Sequence, residues 1–185
     1  MKFLEQFTLI TDIIFGLMIL LYLYQIVYIA VSMFKRKVPK LPDAKKNHRY
    51  AIFISARNEQ GVIGELLDSL RNQTYPDEMY DMYVVADNCT DETAAVARQH
   101  GAIVYERFNQ EEVGKGYALN FLYHNVIERK GEDYYEAFMV FDADNIIDQN
   151  FLREVNKTFD TDEFDAMTTY RNSKNRSEEH TSELQ

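Results

Sequence analysis

Two carboxylates separated by one residue, Asp142 and Asp144, follow the apolar run Ala137–Phe141. An apolar run of this length predicts a buried β-strand, and side chains two apart on a strand project to the same side. Adjacent carboxylates repel unless they share a cation, and oxygen ligands suit Mg²⁺ or Mn²⁺, which keep positions open for substrate phosphates. The pair therefore predicts a metal site for a diphosphate, with two Asp residues in an ordinary turn as the alternative.

Lys115 is a second candidate, because it lies between Gly114 and Gly116 where a segment of helical spacing begins. A cation beside the free N–H groups of a helix start would suit a phosphate. The segment is not a P-loop, since neither position 109 nor 110 is Gly and Tyr117 follows Gly116. The first predicted strand also lacks the G-x-G-x-x-G that follows it in dinucleotide-binding proteins.

Polar clusters also follow the first two predicted strands, as S-A-R-N-E at 55–59 and V-V-A-D-N-C-T-D-E-T at 84–93. Ligands of open α/β sheets bind beyond the carboxyl ends of the strands. These two clusters are therefore expected to lie near the Asp142 and Asp144 pair and near Lys115. Asp87 can accept a hydrogen bond from a base imide or a ribose hydroxyl. Asp91 is expected to favour a helix start, and Cys89 to be a small buried residue rather than a nucleophile.

The elements that position these residues alternate along the chain between apolar runs and segments of helical spacing. This alternation predicts an α/β fold whose helices cross over between the strands of one sheet. Apolar residues at three- and four-residue spacing predict a helix over Val62–Leu70, and Asp148 is expected to cap a helix at about 150–159. The predicted strands are Tyr50–Ser55, Met82–Asp87, Ala102–Glu106, Ala137–Asp142 and Ala166–Tyr170.

The segment Ile13–Phe34 has 22 residues without a formal charge, which predicts a membrane-spanning anchor within residues 1–34. The positive-inside rule then places the N-terminus outside the cell membrane and the following domain in the cytoplasm. Two prolines mark 35–49 as an extended linker. The basic residues that follow the apolar run are Lys35, Arg36, Lys37, Lys40, Lys45, Lys46 and Arg49.

A cleaved signal peptide is one alternative for this segment, because Ala30 and Ser32 loosely resemble a small-residue cleavage site. The apolar run is longer than usual for a signal peptide and its n-region is weakly basic. A buried core helix is another alternative, but such helices usually keep a polar stripe. These differences favour the uncleaved anchor.

Charge is distributed unevenly, with a net of +5 over residues 1–49 and −13 over 50–175. An acidic domain without a basic stripe argues against nucleic acid as a partner. The single cysteine excludes an intrachain disulfide. His48, His100 and His124 lack metal-ligand spacing and are expected to be at the surface or partly buried.

The last ten residues, R-S-E-E-H-T-S-E-L-Q at 176–185, turn abruptly polar. One back-translation of all ten residues matches a common sequencing-library adaptor, which predicts a non-native tail after position 175. A genuine polar tail is the alternative.

The four polar clusters, in this order, resemble those of the inverting glycosyltransferases of family 2, which have the GT-A fold. The resemblance covers about 50–170 and rests on A-R-N-E, D-N-C-T-D, K-G-Y-A-L-N and D-A-D. It implies a mixed, mainly parallel sheet with crossover helices. It also implies a nucleotide-sugar donor, UDP-linked by preference, and Mg²⁺ or Mn²⁺ as cofactor.

The resemblance implies roles for the candidate residues. Asp142 and Asp144 would hold the metal, Asp142 would also contact the nucleotide sugar, and Lys115 would approach the diphosphate. The residues implied at the base and ribose are Ala56, Arg57, Glu59 and Asp87.

A cytoplasmic domain after a membrane helix is similar to the membrane-bound branch that includes cellulose, hyaluronan and poly-N-acetylglucosamine synthases. The expected function is hexosyl transfer to a polysaccharide or lipid acceptor at the membrane. A non-catalytic module that binds a nucleotide sugar or metal, and a polyprenyl-phosphate sugar transferase, are the alternatives.

The family's general base lies in a later segment, before a Q-x-x-R-W motif that this Trp-free chain lacks. No catalytic residue is therefore assigned, and 50–175 is expected to be a truncated donor-binding domain without activity of its own. The acidic residues near its end are expected to form a solvated loop: Asp160, Asp162, Glu163 and Asp165.

Overall fold

A computed structural model describes residues 2–34, 41–161 and 166–169. The chain divides into two compact units, Met1–Leu41 and Pro42–Gln185. The predicted adaptor-derived tail at 176–185 and the acidic residues 162, 163 and 165 lie outside the described residues.

The first unit contains helix α1, Lys2–Phe34. Its segment Leu4–Val31 has a mean hydropathy of 2.3 over its most apolar window and is long and apolar enough to cross a membrane. The helix begins well before Ile13, where the uncharged run starts. Thr8 and Thr11 fit this longer helix because their hydroxyls donate to the carbonyls of Leu4 and Phe7, each at 2.9 Å.

Four parallel strands form the sheet of the second unit, in the order β3-β2-β1-β4. This confirms the predicted α/β fold. The second strand begins two residues earlier than predicted because Tyr80 pairs with Tyr50. Of the predicted fifth strand, residues 166–169 are not in a strand and Tyr170 lies outside the described residues. The strands are β1 Tyr50–Ala56, β2 Tyr80–Asp87, β3 Ile103–Arg107 and β4 Ala137–Asp142.

Helices cover both faces of this sheet. Tyr50, Ile52 and Ile54 of β1 pack with α2, α3 and α5, whereas Ala51 and Phe53 pack on the opposite face with α4. A central strand covered on both faces must be apolar throughout, which explains why β1 does not alternate between apolar and polar residues. The helices are α2 Ile63–Arg71, a 3-10 helix Asp77–Met79, α3 Thr93–Gln99, α4 Lys115–Lys130 and α5 Phe151–Phe159.

The start of α5 differs from the prediction that Asp148 caps it. Asp148 Oδ1 accepts from the Asn150 N–H at 2.8 Å, so this carboxylate shapes the turn before the helix. The helix N–H of Leu152 instead donates to Gln73 Oε1 at 3.0 Å. A side chain that follows α2 therefore caps α5, a contact that local sequence does not encode.

Candidate functional site

The carboxyl ends of all four strands lie at one edge of the sheet. Ser55 is in register with both Val85 and Asp142, and Asp87 is in register with Arg107. The clusters predicted from the sequence therefore follow neighbouring strands. This edge is the place where an open α/β sheet binds its ligands.

Lys115 is the first residue of α4, and its Nζ donates to Asp142 Oδ1. The preceding Gly114 has φ 134°, a conformation that L side chains rarely adopt. The two paired side chains are 45% and 37% exposed, so solvent screens the ion pair and it contributes little to folding. A pair of this kind can be exchanged for a ligand at low cost.

Asp142 is the last residue of β4, and the chain turns immediately after it. The Asn145 N–H donates to the Asp142 carbonyl at 3.2 Å, which places the exposed Asp144 in the turn. Strand alternation, the basis for expecting both carboxylates on one side, thus ends at Asp142. The two residues offer oxygen donors at the edge of the sheet.

A divalent cation at this edge of the sheet would need oxygen ligands from the protein. In the described ranges, no three His, Cys, Asp or Glu side chains come together as a metal-binding group. Two accessible carboxylates nevertheless fit Mg²⁺ or Mn²⁺ when phosphate oxygens and water complete the coordination. Asp142 and Asp144 fit that requirement.

The turn after these carboxylates, 145–150, is bound to the end of α2 and the segment that follows it. The Ile147 N–H donates to Ser69 Oγ at 3.1 Å, and Gln73 Nε2 donates to the Asp148 carbonyl at 2.7 Å. The Thr74 N–H also donates to the carbonyl of Gln149 at 2.8 Å. The Thr74 hydroxyl adds a donation to Asn150 Oδ1 at 3.0 Å, so these hydrogen bonds fix the turn from outside its own sequence.

The loops after β1 and β2 are joined by hydrogen bonds. Asn58, with φ 56°, accepts at Oδ1 from the Thr90 N–H at 2.8 Å. The Glu59 N–H donates to Thr93 Oγ1 at 2.8 Å. Of the other candidates on the first loop, Ala56 is buried and Arg57 is exposed.

Asp91 and Cys89 are two further residues of the loop after β2. Asp91 lies at the start of α3, where Oδ1 accepts from the Thr93 hydroxyl at 2.5 Å and from the Thr93 N–H at 3.0 Å. These hydrogen bonds hold the pKa of Asp91 below its ordinary value. Cys89 is half-buried rather than fully buried, with Sγ 3.5 Å from the Ala56 carbonyl oxygen.

Asp87 forms a buried ion pair that the sequence analysis missed. Arg107 Nη1 donates to Asp87 Oδ1 at 2.8 Å, and the two residues are 5% and 4% exposed. Arg107 ends β3, one residue beyond the predicted strand. Asp87 and Arg107 lie opposite each other in the register of β2 and β3. The pair could have been predicted only if the order of the strands were already known.

The sequence profile described as "Glycosyltransferase like family 2" matches residues 48–184. The chain belongs to this family. The match begins just before β1 and includes every candidate residue above. It also runs past Asn175, so the adaptor origin of 176–185 stays a prediction.

Curated relatives of this family 2 chain include a Beta-monoglucosyldiacylglycerol synthase from Nostoc sp., 32% identical over 123 residues, which are 63% of this chain and 25% of the relative. A 4,4'-diaponeurosporenoate glycosyltransferase from Staphylococcus aureus is 44% identical over 72 residues, 38% of this chain and 18% of the relative. The chain thus spans a quarter or less of the length of these relatives. Both names refer to lipids, the first to a glucosylated diacylglycerol that is made and the second to a diaponeurosporenoate that is glycosylated.

Solved structures of glycosyltransferases share the fold of the family 2 chain. The mannosyltransferase PcManGT from Pyrobaculum calidifontis, described in complex with GDP-Man and Mn²⁺, gives a TM-score of 0.55 at 24% identity, covering 79% of this chain and 41% of that one. S. aureus TarS 1–349 gives 0.51 at 21% identity, covering 61% and 32%. These neighbours confirm the GT-A-like fold.

A second polar cluster lies at the amino end of the sheet. His48 Nδ1 is 2.7 Å from Glu136 Oε2, and its Nε2 is 3.0 Å from Asp160 Oδ1. The prediction of a solvated Asp160 is wrong, because its side chain is only 11% exposed and also accepts from the Lys45 N–H at 2.8 Å. His48 is buried, not at the surface. This cluster attaches residues 45–49 to the domain.

Proposed function

We propose that this chain is the donor-binding part of a membrane-anchored inverting glycosyltransferase that transfers a hexose from a nucleotide sugar, UDP-linked by preference. One observation carries the proposal: Lys115 and Asp142 pair at the sheet edge where the Asp87 cluster also lies. A cation for the diphosphate and a carboxylate for the metal are thereby adjacent. Family membership supports transfer as the reaction.

The acceptor is proposed to be a lipid or a polysaccharide. The names of two curated relatives, a Beta-monoglucosyldiacylglycerol synthase and a 4,4'-diaponeurosporenoate glycosyltransferase, favour a lipid. Helix α1 would anchor the enzyme in the cell membrane, with the N-terminus outside and the domain in the cytoplasm. An acceptor dissolved in the bilayer would then be within reach of the tethered domain.

Donor recognition is divided between two groups of residues. Lys115 would bind the diphosphate, and Asp142 would contact the nucleotide sugar beside it. Exposed Lys115 can leave Asp142 for the donor because both groups are accessible to solvent. The residues proposed at the base and ribose are Ala56, Arg57, Glu59 and Asp87.

Asp142 and Asp144 would hold Mg²⁺ or Mn²⁺. When bound, the metal supplies positive charge for the departing diphosphate. PcManGT, described with Mn²⁺, supports a divalent cation on this fold. Both carboxylates precede the turn that α2 holds in place, so folding positions the metal ligands before a donor arrives.

In the transfer itself, an acceptor hydroxyl attacks the anomeric carbon. A new glycosidic C–O bond forms as the bond from that carbon to the phosphate oxygen breaks, with inversion. The Lys115 ammonium stabilises the negative charge that grows on the leaving nucleoside diphosphate. A general base takes the hydroxyl proton, and we assign it to the longer protein rather than to 50–175.

The test uses the full-length protein in membranes, with UDP- and GDP-sugars and Mn²⁺, and measures release of free nucleoside diphosphate. We expect metal-dependent release of UDP that is lost when Asp142→Asn and Asp144→Asn are combined. Asp133→Asn is the matched control, because Asp133 is an exposed carboxylate before β4, at the other end of the sheet. Unchanged metal-dependent donor binding in the double variant would contradict the site.

The products distinguish the alternatives. A sugar linked through phosphate to a polyprenyl lipid would identify a polyprenyl-phosphate sugar transferase. Binding of UDP-sugar without release of UDP, tested with lipid and polysaccharide acceptors, would identify a non-catalytic module.

A further inference from the structure

We infer that Arg107 is a positioning residue for donor binding, which holds Asp87 and the loop before Lys115 in one arrangement. The inference rests on the proposed function, in which Asp87 contacts the nucleoside and Lys115 the diphosphate. Arg107 would make these two contacts depend on each other without touching the donor.

The guanidinium of Arg107 divides its hydrogen bonds between two segments. Nη1 donates to Asp87 Oδ1 at 2.8 Å. Nη2 donates to the Glu112 carbonyl at 2.9 Å and lies 3.3 Å from Glu112 Oε2. A planar guanidinium can make both sets of contacts at once, whereas an ammonium is a single point charge. The link between the segments is therefore specific to arginine.

Asp87 depends on this contact because it is buried. Its Oδ1 accepts from Arg107 and, at 3.2 Å, from Asn88 Nδ2. Within the described ranges no hydrogen bond from the protein reaches Oδ2. Arg107 thus pairs with a buried carboxylate and leaves one defined oxygen of Asp87 for the donor.

The loop on the other side of Arg107 leads directly to Lys115. Glu112, whose carbonyl Arg107 binds, lies two residues before Gly114, where φ is 134°. Fixing Glu112 therefore limits where α4 and its first residue begin. A shift of Arg107 would reach both the nucleoside end and the diphosphate end of the site.

Other hydrogen bonds hold the same loop without the guanidinium. The Asn88 N–H donates to the Arg107 carbonyl at 2.7 Å. Asn88 Nδ2 donates to the Asn109 carbonyl at 2.8 Å, and the Asn109 N–H donates to Asn88 Oδ1 at 2.9 Å. Substitution of the Arg107 side chain leaves these bonds in place. The domain should then fold while the position of Asp87 changes.

The main experiment compares the full-length wild type with Arg107→Lys. Loss of one charge-assisted hydrogen bond should raise the Kd for UDP and the donor KM about tenfold, with kcat changed less than about threefold. Arg98→Lys is the matched control, because Arg98 of α3 forms an exposed ion pair with Glu106 of the same strand as Arg107. The unfolding midpoint of Arg107→Lys, followed by circular dichroism, should show a folded protein.

A double-mutant cycle with Asp87→Asn tests whether Arg107 acts through Asp87. In the Asp87→Asn background, Arg107→Lys should have less than about a twofold further effect on the Kd for UDP. Full additivity, wild-type affinity in Arg107→Lys, or a fall in kcat alone would overturn the inference. Absence of UDP binding and turnover in the wild type would instead overturn the proposed function, and the inference with it.

Hydrogen exchange of the wild type keeps the inference testable if Arg107→Lys does not fold. Saturating uridine, which lacks the diphosphate, should slow exchange of the amides in 108–114 if the nucleoside end is linked to this loop. Unchanged exchange of those amides with uridine bound would overturn the inference.

Discussion

Lys115 donates to Asp142, so the cation proposed for the diphosphate is bound to a carboxylate proposed for the metal. A donor with its metal would satisfy both groups at once, because the diphosphate replaces Asp142 as the partner of Lys115. Without a donor, the charges of Lys115 and Asp142 thus compensate each other. This arrangement limits the repulsion between Asp142 and an incoming diphosphate.

Replacing Lys115 separates its role in folding from its role in transfer. We expect Lys115→Met to change the free energy of unfolding by less than about 1 kcal/mol, since the pair is exposed. Turnover of the full-length enzyme should fall about 100-fold, because the leaving diphosphate loses its cation. Lys130→Met, a change at the far end of α4, should leave turnover unchanged. Similar losses in both variants would contradict the role of Lys115.

The conformation of Gly114 predicts a cost for any side chain there. At φ 134° a Cβ is strained although no atom lies within 4 Å, so Gly114→Ala should lower the free energy of unfolding by about 1–3 kcal/mol. Gly116→Ala is a matched control with equal space and no positive φ, and it should be neutral or stabilising. Urea unfolding of both variants measures the difference. Equal effects would show that strain at Gly114 is unimportant.

The cluster around His48 predicts an acid-sensitive contribution to stability. Hydrogen bonds from Lys46 and then His48 lower the pKa of Glu136 from 4.5 to about 2. Because the pKa is depressed in the folded state, the stabilisation is present above about pH 4.5 and is lost as the pH falls towards 2. Urea unfolding between pH 7 and 3 should show this decline in the wild type.

Glu136→Gln should weaken that pH dependence, since the side chain no longer titrates. Glu132→Gln is the control, because Glu132 is exposed and makes no hydrogen bond to His48 among the described residues. An identical decline in wild type and Glu136→Gln would show that other carboxylates cause it.

Asn156 lies beside the His48 cluster, and its side chain accepts several hydrogen bonds there. Its buried Oδ1 accepts from the His48 N–H at 3.1 Å, from the Tyr50 hydroxyl at 2.7 Å and from the Tyr75 hydroxyl at 2.9 Å. Asn156→Ala removes the acceptor of the buried His48 N–H and the Tyr50 hydroxyl, whereas the Tyr75 hydroxyl keeps the His48 carbonyl at 2.7 Å. The substitution should cost about 3 kcal/mol or more in unfolding free energy. Asn120→Ala, on the exposed face of α4, should cost less than about 1 kcal/mol. Equal costs in chemical denaturation would contradict this account.

The origin of residues 176–185 can be decided directly at the gene. Long-read sequencing of the parent locus across codon 175 should show a reading frame that departs from R-S-E-E-H-T-S-E-L-Q and continues into an acidic motif and further apolar segments. A native gene that encodes this decapeptide would contradict the adaptor prediction. It would also favour the non-catalytic alternative if no acidic motif follows.

The sequence predicted the strands well because their signal is local. The bounds of β4 were predicted without error, and Lys115 was expected at a helix start because glycines flank it. The partners of Asp87 and Asp160 were not predicted, because they depend on the order of the strands and on contacts between segments that are far apart in the sequence. His48 and Asp160, for example, are 112 residues apart in sequence.

The hydrogen bonds between the turn at 145–150 and Ser69, Gln73 and Thr74 have an entropic consequence. If the turn were free, the chain around Asp142 and Asp144 would lose conformational freedom each time these carboxylates bound a cation, and that loss would weaken binding. Here the conformational freedom is lost once, when the chain folds and the turn becomes bound to the end of α2 and the residues after it. Under the proposed function, residues some 70 positions away from Asp144 would thus help to set its affinity for a metal ion.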